Sequence, residues 1–438
     1  MTNRRSSVVT GVTLALLLGV RAEAQHDGHG AAAATRDSAA VVHVMLQAIP
    51  LITRAAPTAL GRTRTQALVT QPILMGHWAT ASGALALDGT LEAEGLTMPN
   101  GELNTGAYGE GFFDRRHPHT YLHEFVGSVR RTIGGASLSA SAGRGFAPFG
   151  TDDPMMRPFV KYPVNHHLSQ ILERAVAIGA VRAGALSLEG GLFGGDEPTA
   201  PSDLPVWRRF GDSWSARATL FPLANVELQG SYARVASPEQ PSGHGLDQQK
   251  LSYSGRSITS DGARYFLGEW ARTIERDHSR NADVYGVESA LVEGAMILGQ
   301  LGVALRLEQT DRPEEERDAD PFRTPRPSSD LSIAGVTRWR VVTVSLSGPV
   351  VGPSHLSGVP FVEVARLAAA PRSQSSVLTP DRLYGTTRLW MATIGVRLRA
   401  GSPHARMGRY GVALERGPPL AVIGGGRAGQ DSAASHAH

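Results

Sequence analysis

Ser213-Trp214-Ser215-Ala216-Arg217-Ala218-Thr219-Leu220 is the stretch whose reading decides the fold. Its apolar residues, Trp214, Ala216, Ala218 and Leu220, alternate with Ser213, Ser215, Arg217 and Thr219. In an extended chain successive side chains point to opposite faces, so one face is apolar and the other polar. A helix would bring residues three and four apart together and mix the two classes. The same period of two recurs along the chain. Leu85, Leu87 and Leu91 oppose Asp88, Thr90, Glu92 and Glu94. Val226, Leu228 and Tyr232 oppose Asn225, Glu227, Gln229 and Ser231. Leu301, Val303, Leu305 and Leu307 oppose Ala304, Arg306 and Glu308. Ile394, Val396 and Leu398 oppose Thr393, Arg397 and Arg399.

Eighteen runs qualify as candidate strands: 41–50, 66–78, 83–95, 119–132, 135–146, 171–182, 184–193, 212–221, 224–235, 247–257, 260–274, 282–293, 297–309, 329–339, 340–347, 359–369, 387–399 and 406–415. Tight turns such as Phe221-Pro222-Leu223-Ala224-Asn225 join some of them. Long polar loops separate others, among them Ala236 to Gln249 and Thr310 to Asp330, which holds Arg312-Pro313-Glu314-Glu315-Glu316-Arg317-Asp318. Short turns alternating with long charged loops are the asymmetry of an outer-membrane barrel. The pattern predicts an all-β, antiparallel transmembrane β-barrel of about 16 strands, with 14 to 18 allowed, and an inward-folded loop or plug. A soluble β-sandwich or secreted barrel is the rival, weakened by many strands of about ten residues with no second layer. Trp78, Trp214, Phe221, Tyr232, Trp270, Tyr285, Trp339, Trp390 and Tyr410 are candidates for interfacial aromatic girdles.

Composition agrees. A charged start, Arg4-Arg5, an apolar run from Val8 to Val20, and Ala22-Glu23-Ala24 read as a secretory leader over residues 1–24. Its removal takes away three arginines and one glutamate, bringing the net charge from +3 to +1, which gives no basis for nucleic-acid binding. The mean hydropathy of −0.14 suits a barrel whose polar lumen offsets a lipid-facing exterior. With no cysteine, disulfides and thiolate metal sites are excluded. Residues 25–40, with His26 and His29, and 417–438 read as flexible segments flanking a barrel over 41–416. The expected location is the bacterial outer membrane, with its lipid and small solutes or ions as partners.

Two polar knots interrupt the strand pattern and hold five of the 15 histidines. One contains Asp114-Arg115-Arg116-His117-Pro118-His119 and, a little further on, His123-Glu124. The other is Tyr162-Pro163-Val164-Asn165-His166-His167. Pro148, Pro154, Pro158 and Pro163 forbid a regular strand between them, which makes this segment the expected plug. Imidazole with carboxylate suits zinc or copper(II), so His117, His119, His123, His166 and His167 are candidate metal ligands, and Met155-Met156 would add soft donors for copper(I). No cofactor is certain; copper or zinc are the candidates. The other reading is a hydrogen-bonded network filling the barrel, with Asp114, Arg115, Arg116 and Glu124 at a constriction. His167-Leu168-Ser169, with Asn165 beside it, has the His-x-Ser spacing of outer-membrane phospholipases, although the rest of that pattern is absent.

These motifs resemble a family. The chain is similar to uncharacterised bacterial outer-membrane barrel proteins with an Asp-Arg-x-His-Pro-His signature, here residues 114–119. Arg144-Gly145-Phe146-Ala147-Pro148-Phe149-Gly150, Asn165-His166-His167, Asp212 to Arg217 and Gly230 to Glu239 also resemble that family. The resemblance covers roughly residues 40 to 300. It implies a location and a fold, and no established activity; members are described as porin-like or linked to heavy-metal handling. Three functions follow as expectations: porin-like passage or binding of small solutes or ions through a partly plugged lumen, a metal-binding envelope protein, and an outer-membrane lipid hydrolase. The first, without enzymatic activity, fits the residues best.

Overall fold

The alternation that defines the strands also decides which way they face. In the run from Ser213, the serines, Arg217 and Thr219 are buried while Trp214, Ala216, Ala218 and Leu220 are exposed. In a soluble protein the polar set would face water. Here it faces the interior, and Leu188, Leu192, Leu305, Leu307, Val342, Val344, Val362, Val364 and Ile394 form an apolar exterior. An apolar surface of this extent needs a lipid surround. The soluble rival therefore fails on direction.

The computed structural model describes residues 40–56, 64–97, 119–151, 153–164, 166–198, 200–204, 207–240, 242–315, 333–353, 356–372, 379–381, 385–401 and 407–413. Among them sixteen antiparallel strands close into one barrel. They are β1 Val41–Ala56, β2 Arg64–Ala79, β3 Leu85–Glu92, β4 Leu122–Ile133, β5 Ala136–Gly145, β6 Arg174–Ala183, β7 Leu186–Phe193, β8 Ser213–Leu223, β9 Val226–Val235, β10 Asp247–Ile258, β11 Arg264–Asp277, β12 Ala282–Leu298, β13 Leu301–Glu315, β14 Ile333–Ser347, β15 Leu356–Pro371 and β16 Arg388–Gly401. β1 closes the sheet on β16 from Met45↔Gly401 to Ala56↔Trp390, so no edge is left unpaired. No described helix is long and apolar enough to cross a membrane; the strands do the crossing.

Three sequence expectations need correction. The described parts of runs 329–339 and 340–347 form one strand, β14. Run 406–415 is no strand in its described part, 407–413, which turns back into the lumen. Arg312 to Glu315 extend β13 rather than opening a loop. Among the aromatics, Trp78, Trp214 and Trp390 face outward, but Trp339 and Tyr410 are buried inside.

The 134–135, 184–185, 224–225 and 299–300 turns lie at one end of the barrel, and the strand ends at Glu92, Gly145, Phe193 and Glu315, from which longer connections depart, lie at the other. The described part of the 146–173 connection folds inward, its prolines keeping it out of regular strand, and it holds a 3₁₀ turn at Pro154–Met156 and a helical turn at His166–Ser169. Gly150, at φ +69, starts this path. A Cβ there would strike the Ser169 carbonyl, so glycine alone fits. The Gly150 N–H donates to Ser231 Oγ on the β9 wall at 3.0 Å.

Candidate functional site

Inside the barrel two inserted segments meet a charged wall. Across the lumen, Glu363 of β15 accepts N–H bonds from Val160 (3.0 Å) and Lys161 (2.8 Å), and Glu308 of β13 accepts from Val164 at 2.7 Å. Arg306 donates to Glu293 at 2.6 Å and to the Lys161 carbonyl at 2.8 Å. Arg157 of the inserted segment lies 3.4 Å from Glu269. Irregular backbone is tolerated here because the wall satisfies it and shields it from lipid. The 407–413 segment rests on the opposite wall. Arg409 reaches Glu227 at 2.9 Å and Glu189 at 3.3 Å, and the Tyr410 hydroxyl donates to Glu124 at 2.6 Å. Arg217 joins the two insertions. It forks onto Glu189 with two 2.6 Å bonds and donates to the carbonyls of Gly150 and Gly408.

Above this frame, near the end with the long connections, lies a buried knot of carboxylates and imidazoles. A register shift between β3 and β4 puts Thr90 opposite Glu124 and Leu91 opposite Leu122. The bulge lets both His123 and Glu124 point inward, where a regular strand would have sent one of them to lipid. His119 precedes β4; its ring is 5.4 Å from that of His123 and 6.3 Å from that of His166. The Tyr162 ring completes the group, 5.6 Å from His119 and 5.5 Å from His166. His123 Nδ1 lies 2.6 Å from Glu173 Oε1, and its Nε2 is 3.9 Å from Asp153 Oδ2. His119 Nδ1 lies 3.0 Å from Glu92 and 3.5 Å from Glu94.

Of the expected metal ligands, the structure thus brings His119, His123 and His166 together. His117, Asp114, Arg115 and Arg116 lie outside the described residues, as do Asn165 and the side chain of His167. Glu124 faces the lumen, where it anchors the 407–413 segment through Tyr410 and the Gly408 N–H (3.1 Å) and accepts from Thr90 at 3.0 Å. Met155 is buried in an apolar cluster with Met45, Ile73, Phe146 and Met407, and so packs as a hydrophobe. Ser169 is fully buried inside the barrel, away from the lipid-facing surface.

Glu92 and Glu94 lie on the polar face of a predicted strand, and their part in the site is not among the sequence expectations. β3 ends at Glu92, and Glu94 opens a short helix, Glu94–Thr97. The visible signal was a Glu-x-Glu pair in the polar phase of that strand.

Burial alone would push the His119 imidazole down, but Glu92 and Glu94 beside it hold it well above its ordinary value. Burial would likewise raise Asp153 and Glu173. The bond to His123 and the nearby imidazole charge outweigh this and hold both below their usual 3.8 and 4.5. A depressed carboxylate contributes stability above its unfolded pKa and loses it as pH falls through the folded one. The inserted segment is therefore expected to stay docked above about pH 4.5 and to loosen progressively below about pH 4. Limited proteolysis of the segment across pH 3 to 8 reads this out, while gel migration of unheated protein reports the intact barrel. Uniform protection down to pH 3 would contradict it.

No family model matches the chain, and no curated protein sequence matches it. Solved structures do. An anion-selective porin from Comamonas acidovorans is 10% identical, with 83% of this chain and 100% of that chain covered at a TM-score of 0.50. OmpT of Vibrio cholerae in its trimer form, 9% identical, covers 83% and 100% at 0.46. OccK2 of Pseudomonas aeruginosa, in complex with glucuronate, is 10% identical and covers 83% and 98% at 0.37. At 10% identity the likeness to the Comamonas porin is one of fold: the described residues of this chain close into a porin-like β-barrel of sixteen antiparallel strands.

Proposed function

We propose that the barrel passes or binds small solutes or ions through a lumen narrowed by the 146–173 segment. One observation carries this reading. The segment crosses the interior on polar and charged contacts to Ser231, Glu269, Glu308 and Glu363, beside a wall rich in serine, threonine, arginine and carboxylate. An inert barrel core would be packed with apolar side chains. A wall of charge facing a polar insertion suits selection of hydrated solutes at a constriction. Asp114, Arg115, Arg116 and Glu124 are the constriction residues of this proposal, joined by the Arg157–Glu269 and Arg306–Glu293 pairs.

The lipid hydrolase reading is not favoured. A serine acting on lipid needs access to acyl chains, and Ser169 is buried within the lumen.

Planar bilayer recording tests the proposal. Wild-type protein is expected to give a small, ohmic conductance. A variant in which residues 151–168 are replaced by a short Gly-Ser turn is expected to conduct several-fold more, because the pore cross-section opens. Folded barrels that conduct in neither form would overturn the reading.

A further inference from the structure

Glu92, Glu94 and His119 each present one ligand atom, and these three buried atoms lie within 4.8 Å of one another. We propose that they form a binding site for a divalent first-row transition metal of the zinc class, with Glu92 Oε2, Glu94 Oε2 and His119 Nδ1 as the protein ligands. The site does not depend on the channel reading.

Three observations converge on it. The first is spacing. His119 Nδ1 is 3.0 Å from Glu92 Oε2 and 3.5 Å from Glu94 Oε2. An ion with bonds of about 2.0–2.2 Å holds neighbouring ligand atoms roughly 3.0–3.5 Å apart. Calcium would demand longer bonds and six to eight oxygens. The second is unmet charge. Apart from the His119 imidazole, both Glu92 oxygens and Glu94 Oε2 have no hydrogen-bond partner among the described residues, although the two side chains are almost completely buried. One imidazole cannot neutralise two buried carboxylates, and the charge left over is strongly unfavourable unless a further cation compensates it. Arg144, a cation of the neighbouring network, donates instead to the Asp203 carbonyl and Thr120.

The third is orientation from behind. Glu94 Oε1 is taken by the Thr70 hydroxyl and, at 2.7 Å, by the Gln71 N–H, which turns Oε2 toward His119. Outer partners of this kind fix a ligand before the metal arrives. The donor set is oxygen and nitrogen, with Met155 held in its apolar cluster, so zinc fits and copper(I) does not.

The test uses full-length protein refolded in detergent, stripped with chelator, then titrated with Zn²⁺ by calorimetry and with Co²⁺ by visible absorption. Wild type is expected to bind one equivalent of zinc and to develop a cobalt ligand-field band. Glu92→Gln/Glu94→Gln, which keeps shape and removes charge, is expected to weaken zinc at least ~100-fold and abolish the band, and Thr70→Val to weaken it ~10-fold. Unheated gel migration verifies that each barrel is folded. Should the double variant fail that check, Glu94→Gln alone and Thr70→Val carry the test. Zinc bound equally by wild type and folded variants would place the metal on other histidines, such as His26 and His29, and overturn the site. Absence of binding in wild type would do the same.

Discussion

Arg217→Met is expected to release both inserted segments from the barrel wall while leaving the barrel standing. Arg217 contributes the paired bonds to Glu189 and a bond to each insertion, at Gly150 and Gly408. Methionine keeps much of the volume but donates nothing. Removing one partner of a buried ion pair typically destabilises by about 3–5 kcal/mol, because the remaining charge is left uncompensated. Here Glu189 keeps Arg409 at 3.3 Å, so the loss should lie near the lower end. That loss falls on the docking of 146–173 and 407–413. The strands are closed by their own backbone ladder from β1 to β16. Single-channel conductance should rise several-fold and become noisy, and protease should cut the inserted segment. Conductance and protection unchanged from wild type would show that Arg217 holds neither segment.

The second large effect is expected at the far wall. Glu363→Gln should detach the edge of the insertion that carries Val160 and Val164. The carboxylate accepts two successive backbone N–H groups, one on each oxygen. The amide has one acceptor oxygen, and its NH₂ would face the second N–H. Hydrogen bonds to a charged group contribute about 1.5–3 kcal/mol, and a buried donor left unmet adds to the loss. Val160 and Val164 belong to an apolar cluster with Trp339, Phe361 and Leu367. Their withdrawal uncovers Trp339, which is otherwise only 1% exposed. Acrylamide quenching of Trp339 fluorescence, in a chain whose other tryptophans are replaced by phenylalanine, should therefore rise with the substitution. Quenching that stays at the wild-type level would mean that Glu308 and the apolar cluster suffice to dock the segment.

Much of the barrel was legible in the chain because a strand's side-chain period is local. Leu301 to Glu308 declares its two faces without reference to any other residue. Eighteen candidate runs became sixteen strands for two reasons that local alternation cannot reveal. A break in the pattern near 339–340 is no break in the backbone ladder, since β14 pairs continuously with β15 from Thr337 to Ser347. The 406–415 run has strand-like residues but no free edge to pair with, because β1 already occupies β16.

The site was half legible. Prolines 148, 154, 158 and 163 announced an irregular segment, and the histidines announced a polar one. Which partners those histidines meet was not readable. Asp153, Glu173 and the Glu92/Glu94 pair come to His119 and His123 from three separate places in the chain.

The sequence by itself determined the strand class, the division of each strand into apolar and polar faces, and the irregular, non-strand backbone of the proline-rich segment. Each of these follows from stereochemistry within a few residues. The tertiary structure alone decided the one-residue bulge in β4 opposite Thr90 and Leu91, which turns His123 and Glu124 inward together, and the convergence of Glu92, Glu94 and His119. Such contacts depend on strand register and on the path of an inserted loop, and both are set by long-range packing that no local pattern encodes.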